Sequence, residues 1–234
     1  MTDDRDLLGL DPYELWEAEA ARIEQHCATL SGEAWNEPSR CAGWSVRDVV
    51  AHLAATENYT RACLDGTVAD WIANLTSQGA TDLTSFNAIA MQEFDGQSPE
   101  EVLAEWRAKS DANRAGFRAR DGKTVDSSVG AYPARWQAFH LSFELATHAD
   151  DIAVPVSAAE AAGRLAWQAQ FGRFAFKEHH PDALVDAHGG RIHVKTDTVD
   201  IDVSEREWVQ ALAARVPPES NLDPEVAAAL SITP

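Results

Sequence analysis

Cysteine is scarce in this chain. Its 234 residues include three, Cys27, Cys41 and Cys63, an odd number with no CxxC spacing. They form neither a disulfide framework nor a zinc knuckle, and a reducing cytoplasm is the expected setting. Basic residues are also few: 19 Lys and Arg stand against 38 Asp and Glu, a formal net charge of -19. A surface of that sign repels phosphate backbones and anionic lipid, which argues against nucleic-acid and membrane partners. No apolar run approaches the roughly 20 residues that span a bilayer. The opening MTDDRDLLGL is acidic and lacks the basic and apolar regions of a signal peptide. The sequence also lacks internal repeats and low-complexity tracts.

A hydrophobic fraction of 45% is that of an ordinary globular protein and is enough to bury a core. Helical periodicity dominates the first two thirds. Asp11-Pro12 is a helix start, followed by the stripe Trp16, Ala20, Ile23, Cys27 and Leu30. Ser45 with Asp48 resembles a capping box and opens a second helix, striped by Val46, Val49, Val50 and Leu53. Residues 67–77 and 83–94 fit two short helices. Ser98-Pro99-Glu100-Glu101 starts a long one, with Val102, Leu103, Trp106, Ala112 and Phe117 on its apolar side. Residues 121–133 read as a loop, and another helix ends before Pro155. Ser157 to Glu160 reads as a further capping box, for a helix reaching about His179. The period then changes to alternation around Gly189-Gly190, a hairpin signal, before a last substantial helix capped by Ser204. The expected fold class is α+β: a four-helix bundle over residues 1–155, then a small α+β domain with a short antiparallel sheet over 156–234.

Within this pattern Glu144 and His148 stand four residues apart in FHLSFELATHADDI. That spacing puts both on one helical face, where a carboxylate oxygen and an imidazole nitrogen can converge on one ion. The candidate third ligand is His52, beside an apolar stripe in the second helix. Two imidazoles and one carboxylate make a catalytic zinc set with one position open. Exposed i,i+4 pairs of this kind are common and carry only a few tenths of a kcal/mol. Burial is what distinguishes a ligand from a surface pair, because a buried carboxylate needs a partner.

The passage from Gly43 to Leu53, GWSVRDVVAHL, resembles the N-terminal signature of the mycothiol-dependent maleylpyruvate isomerase family, a branch of the DinB-like metal-binding bundles. The stretch from Glu144 to Ile152 is similar to that family's second signature, E-x-x-x-H-x-x-D and an aliphatic residue. The resemblance covers residues 11–155 closely and the remainder loosely. It implies that His52, Glu144 and His148 bind a divalent metal, usually zinc, and that Asp151 supports the site. It also implies a catalytic arginine at Arg215, although the family's Gly-Arg pair is here Ala214-Arg215. His140, one turn before Glu144, is a candidate to line the pocket. Tyr59, Trp71 and Trp136 read as core or pocket wall, and Tyr59 joins His140 and Asp151 as a cofactor-side residue.

The activity so implied is isomerisation or S-transfer on a small electrophile, with mycothiol bound as a metal thiolate and no protein cysteine as nucleophile. A non-catalytic metal-binding module of the same fold, or a hydrolase or lyase using zinc-bound water, remain the rival readings. A cytoplasmic monomer or homodimer is expected.

Overall fold

Capping chemistry sets where the helices begin. In the computed structural model, which describes residues 4–233, the chain divides into two compact units: Asp11–Pro155, and residues 4–10 together with 156–233. In the first, Asp11 accepts from Tyr13 and Glu14 to open α1 (Pro12–Cys27), and a Ser45–Asp48 capping box opens α2 (Val46–Asp65). Two short helices follow, α3 (Val68–Ser77) and α4 (Leu83–Met91), both packed on α2. The Ser98–Glu101 box starts α5 (Pro99–Arg118). A two-residue ribbon pairs β1 (Thr124–Val125) antiparallel with β2 (Tyr132–Pro133) and leads into α6 (Ala134–Asp151). The expected loop over 121–133 is therefore folded on itself, and Asp126 ties it down by donating its N–H to the Cys63 carbonyl at 3.1 Å.

The four long helices α1, α2, α5 and α6 form the bundle, chiefly through the pairs α2–α5 and α1–α6. Trp16, Ile23, Val49, Leu53, Trp106, Phe117 and Ala138 fill its core. Each buried large side chain contributes about 1.5–3 kcal/mol. One stripe position differs from expectation. Ala112 is exposed and Asn113 turns inward instead, because its Nδ2 donates to the buried Glu57 carboxylate at 2.7 Å and to the Glu57 carbonyl at 2.9 Å. A satisfied amide displaces a methyl from the inner face. Helix α6 ends in a Schellman motif: Ala153 adopts φ 55°, Val154 N–H reaches Ala149 O at 2.9 Å, and Ala153 N–H reaches Asp150 O at 3.3 Å.

The second unit contains a 3-10 turn over Asp4–Leu7, α7 (Ala158–His179), the meander β3 (Leu184–His188), β4 (Arg191–Lys195) and β5 (Asp200–Ser204), then α8 (Glu205–Leu212) and α9 (Pro224–Leu230). The sheet is antiparallel in the order β3-β4-β5, with His188 opposite Arg191 across the two glycines. Both glycines have positive φ, 56° and 75°, as a two-residue primed turn requires. The Ser157–Glu160 box is a correction: Ser157 is the N-cap residue of α7 and its hydroxyl donates to the Glu160 carboxylate, but it accepts no backbone N–H, and the reciprocal box is absent.

Gly172, in mid-helix on α7, has a packing reason. A Cβ there would lie 2.2 Å from Leu212 Cδ1 and 2.8 Å from Trp208 Nε1. The indole cannot yield freely, because it is fully buried and donates to Ala169 O at 3.2 Å. Helix propensity alone favours alanine by about 1 kcal/mol, but overpacking costs about 1–3 kcal/mol. Gly172→Ala is therefore expected to lower the unfolding free energy in a denaturant titration. An unchanged or higher midpoint would contradict this packing.

Candidate metal centre

Two helices bring the candidate ligands together. On α2, His52 is nearly buried beside the core residues Val49 and Leu53. On α6, Glu144 and His148 share one face a turn apart. His52 Nε2 lies 3.1 Å from Glu144 Oε1, His148 Nε2 lies 3.2 Å from the same oxygen, and the two imidazole rings are 4.8 Å apart. One donor atom from each of the three residues falls within 4.8 Å of the others. Ligands bound to zinc at about 2.0–2.2 Å and near the tetrahedral angle stand roughly 3.3 Å apart, so this spacing suits a single ion. Both histidine side chains are 8% exposed, whereas that of Glu144 is 41% exposed. The cluster is closed behind the imidazoles and open at the carboxylate.

Asp151 stands behind His148. Its side chain is fully buried, and its Oδ2 is 3.0 Å from His148 Nδ1. His148 thus faces a carboxylate at each ring nitrogen. Burial opposes its charge, but the Coulombic pull of Glu144 and the hydrogen bond to Asp151 outweigh it and hold the imidazole pKa well above its usual value. Glu144 shows the converse: burial raises its pKa, but His148 and His52 bring it well below the ordinary carboxylate value. His52 is lowered, by burial first and by the neighbouring His148.

This donor set fits a divalent ion for a specific reason. Without a cation, both nitrogens of His148 must carry protons to face two acceptor oxygens. With one, Nδ1–H stays on Asp151 and the bare Nε2 lone pair points at the ion, which is the orientation that outer carboxylates impose on metal-binding histidines.

The remaining sequence candidates lie elsewhere. Tyr59 is two turns from His52 along α2, ~10 Å at 1.5 Å per residue. Its hydroxyl accepts from Ser128 N–H at 3.3 Å, its ring packs on Trp71 at 5.5 Å, and burial pushes its pKa up to about 12. His140 lies one turn before Glu144, with its Nε2 3.2 Å from the Tyr132 hydroxyl. Arg215 belongs to the second unit. It follows Ala214, which holds φ 52° in a second Schellman motif closed by Arg215 N–H to Gln210 O at 2.7 Å. Alanine thus adopts here the left-handed conformation that glycine takes most easily. The guanidinium donates from Nη1 to Ala213 O at 3.2 Å.

Two neighbours of the centre escape a reading by sequence spacing. Cys41 Sγ is 3.1 Å from Asp151 Oδ2 and 3.8 Å from His148 Nδ1. Trp44 packs on the His52 ring with centroids 5.1 Å apart. Trp44 lies in the first signature, but no pattern along the chain connects Cys41 to residues over 100 positions away.

No curated protein sequence matches the chain significantly. Among solved structures it is similar to the crystal structure of the mycothiol-dependent maleylpyruvate isomerase and to that of a mutant of that enzyme in which a histidine is replaced by alanine. Each match has a TM-score of 0.50 at 14% identity, covering 71% of this chain and 67% of the other. At that identity the likeness concerns the fold, a DinB-like helical bundle with a small antiparallel sheet beyond it. Among the described residues no helix is long and apolar enough to cross a membrane. The family described as the mycothiol maleylpyruvate isomerase N-terminal domain matches residues 16–153, more than half of the chain and the whole of the candidate centre, and the chain belongs to that family.

Proposed function

We propose that the chain is a zinc-dependent enzyme that uses mycothiol, a low-molecular-weight thiol, to act on a small electrophile in the cytoplasm by cis–trans isomerisation or S-transfer. The observation that carries this reading is the convergence of His52 and His148 on Glu144, with the far nitrogen of His148 held by the buried Asp151. An ion held by His52, Glu144 and His148 would draw the proton from an incoming thiol and supply, at neutral pH, the thiolate that a free thiol of pKa about 8.5 supplies poorly.

The protein's own groups have separable tasks. Asp151 keeps the proton on Nδ1 of His148 and so fixes its tautomer and ring orientation. Glu144 supplies a single negative charge, so the ligand set leaves a divalent ion net positive. The exposed side of Glu144 leaves room for the thiol. Tyr59 and His140, one or two turns along the same helices, are assigned to the wall against which thiol and electrophile rest. Arg215 is assigned to binding an anionic group of the substrate, its turn keeping the left-handed geometry despite the alanine. All three cysteines are free thiols, which suits a reducing compartment.

The protonation of His148 gives a pH dependence with a definite sign. Its pKa in the metal-free fold is raised. The stabilisation from its charged form is therefore fully present below about 6.5, the ordinary imidazole value, and is lost as pH rises through the elevated one. A metal must displace that proton. Zinc binding near pH 7 is expected to release about one proton and to strengthen about tenfold per pH unit below the raised pKa. Calorimetric titration in buffers of different ionisation enthalpy measures this directly. Binding with no proton release would contradict the assignment of His148.

For the reaction itself, the zinc-loaded protein is to be assayed with mycothiol against maleylpyruvate and against an activated aryl halide. Turnover is expected only with the thiol, and Glu144→Ala is expected to lower it at least about 100-fold, a typical loss when a group central to catalysis is removed. Turnover that needs no thiol would favour a hydrolase or lyase. A zinc-loaded protein that turns over neither compound with thiol would favour a non-catalytic module.

A further inference from the structure

We infer that Cys41 is a positioning residue of the metal centre, acting through Asp151 on the ligand His148. The inference rests on the proposed metal site and adds to it a residue that lies in neither signature.

The geometry is a short relay. Asp151 Oδ2 is shared by two donors, His148 Nδ1 at 3.0 Å and the Cys41 thiol at 3.1 Å. A fully buried carboxylate is costly unless its lone pairs are filled, and a thiol is a weak but real donor. Rotation of this carboxylate about its Cβ–Cγ bond would carry the imidazole with it. Cys41 provides a second tether on the same oxygen.

The loop carrying Cys41 is closely determined. Pro38 and Ser45 pair across its neck, and Ser39 Oγ accepts from Cys41 N–H at 3.1 Å. Trp44 N–H reaches Cys41 O at 3.0 Å in a turn whose Gly43 has φ 81°, a conformation glycine takes without strain. The loop is fastened to the end of α6 by Arg40 N–H to Asp151 O at 3.0 Å. Its two ends meet the centre from different sides: Cys41 reaches Asp151 behind His148, and Trp44 packs on His52. The same three atoms, Cys41 Sγ, His148 Nδ1 and Asp151 Oδ2, could instead hold an ion of their own. A neutral imidazole has one bare nitrogen, and the first cluster takes it at Nε2, which leaves His148 Nδ1 protonated as a donor to Asp151 and favours the hydrogen-bonded relay.

Zinc affinity, measured by competition with a chromophoric chelator, tests this without reference to turnover. The proteins are wild type, Cys41→Ser, Cys41→Ala, Asp151→Ala and the double variant Cys41→Ala/Asp151→Ala, each checked for folding by thermal melting. Removing an outer partner of a metal ligand costs about 10–100-fold in affinity. Asp151→Ala is expected within that range, and Cys41→Ala, one bond further out, near its lower end of about tenfold. Cys41→Ser keeps an O–H donor and is expected to restore most of the affinity. The double variant is expected to bind no more weakly than Asp151→Ala alone, since the thiol's 3.1 Å bond to that carboxylate, and not its longer 3.8 Å approach to His148 Nδ1, carries the effect. If Cys41→Ala melts early, Cys41→Val, which fills the volume without a donor, takes its place.

Wild-type affinity in Cys41→Ala would overturn the proposal, and so would equal losses in the serine and alanine variants. Losses that multiply in the double variant would show that the thiol acts independently of Asp151, which also overturns it. Two ions per wild-type chain falling to one in Cys41→Ser would make the thiol a ligand rather than a donor. A wild type that binds no zinc defeats the metal reading itself, and this proposal with it.

Discussion

Everything at the candidate centre depends on one imidazole held between two carboxylates. His148 has Glu144 3.2 Å from Nε2 and Asp151 3.0 Å from Nδ1. Such a ring has two self-consistent states. In one it carries both protons and offsets one of the two negative charges beside it. In the other it keeps the proton toward Asp151 and offers a bare lone pair to a cation. The buried Asp151 makes the second state available, because it selects which nitrogen stays protonated. His52 then needs only to face the same carboxylate oxygen from the neighbouring helix, which it does at 3.1 Å.

The bundle supplies that arrangement through ordinary helix geometry. The i,i+4 spacing places Glu144 and His148 on one face of α6, and the capping box at Ser45 fixes where α2 begins, which places His52 two turns into it. The core around Val49, Leu53 and Ala138 holds the helices in register. Beyond α6, the left-handed Ala153 ends the helix two residues after Asp151, so the last turn is occupied by the centre itself.

Much of this was legible in the sequence, for stated physical reasons. Helix starts are local chemistry, so Asp11-Pro12, Ser45 and Ser98 could be read directly, as could the glycine pair of the hairpin. Glu144 and His148 are related by a helical turn, and His52 was tied to them by the two signatures. What escaped depends on contacts distant in sequence. Asn113 turns inward because Glu57 meets it across the bundle, which periodicity assigns to Ala112 instead. Ser157 is the exception: it begins α7 at the expected place, but its side chain accepts no backbone N–H, a matter of local geometry rather than of a distant contact. Cys41 looked inert because cysteine is judged by nearby cysteines and histidines in the sequence. Its partners are 107 and 110 residues away, and only the folded loop brings them within reach.

The most direct test of the metal centre is metal content, by inductively coupled plasma mass spectrometry, of the purified chain beside His52→Ala, Glu144→Ala and His148→Ala. About one zinc per chain, lost in each of the three variants, is the expected result for a set of three protein ligands. A wild-type chain free of metal, and still free of it after incubation with zinc and removal of the excess, would contradict the account. The three side chains would then form only a hydrogen-bonded polar cluster.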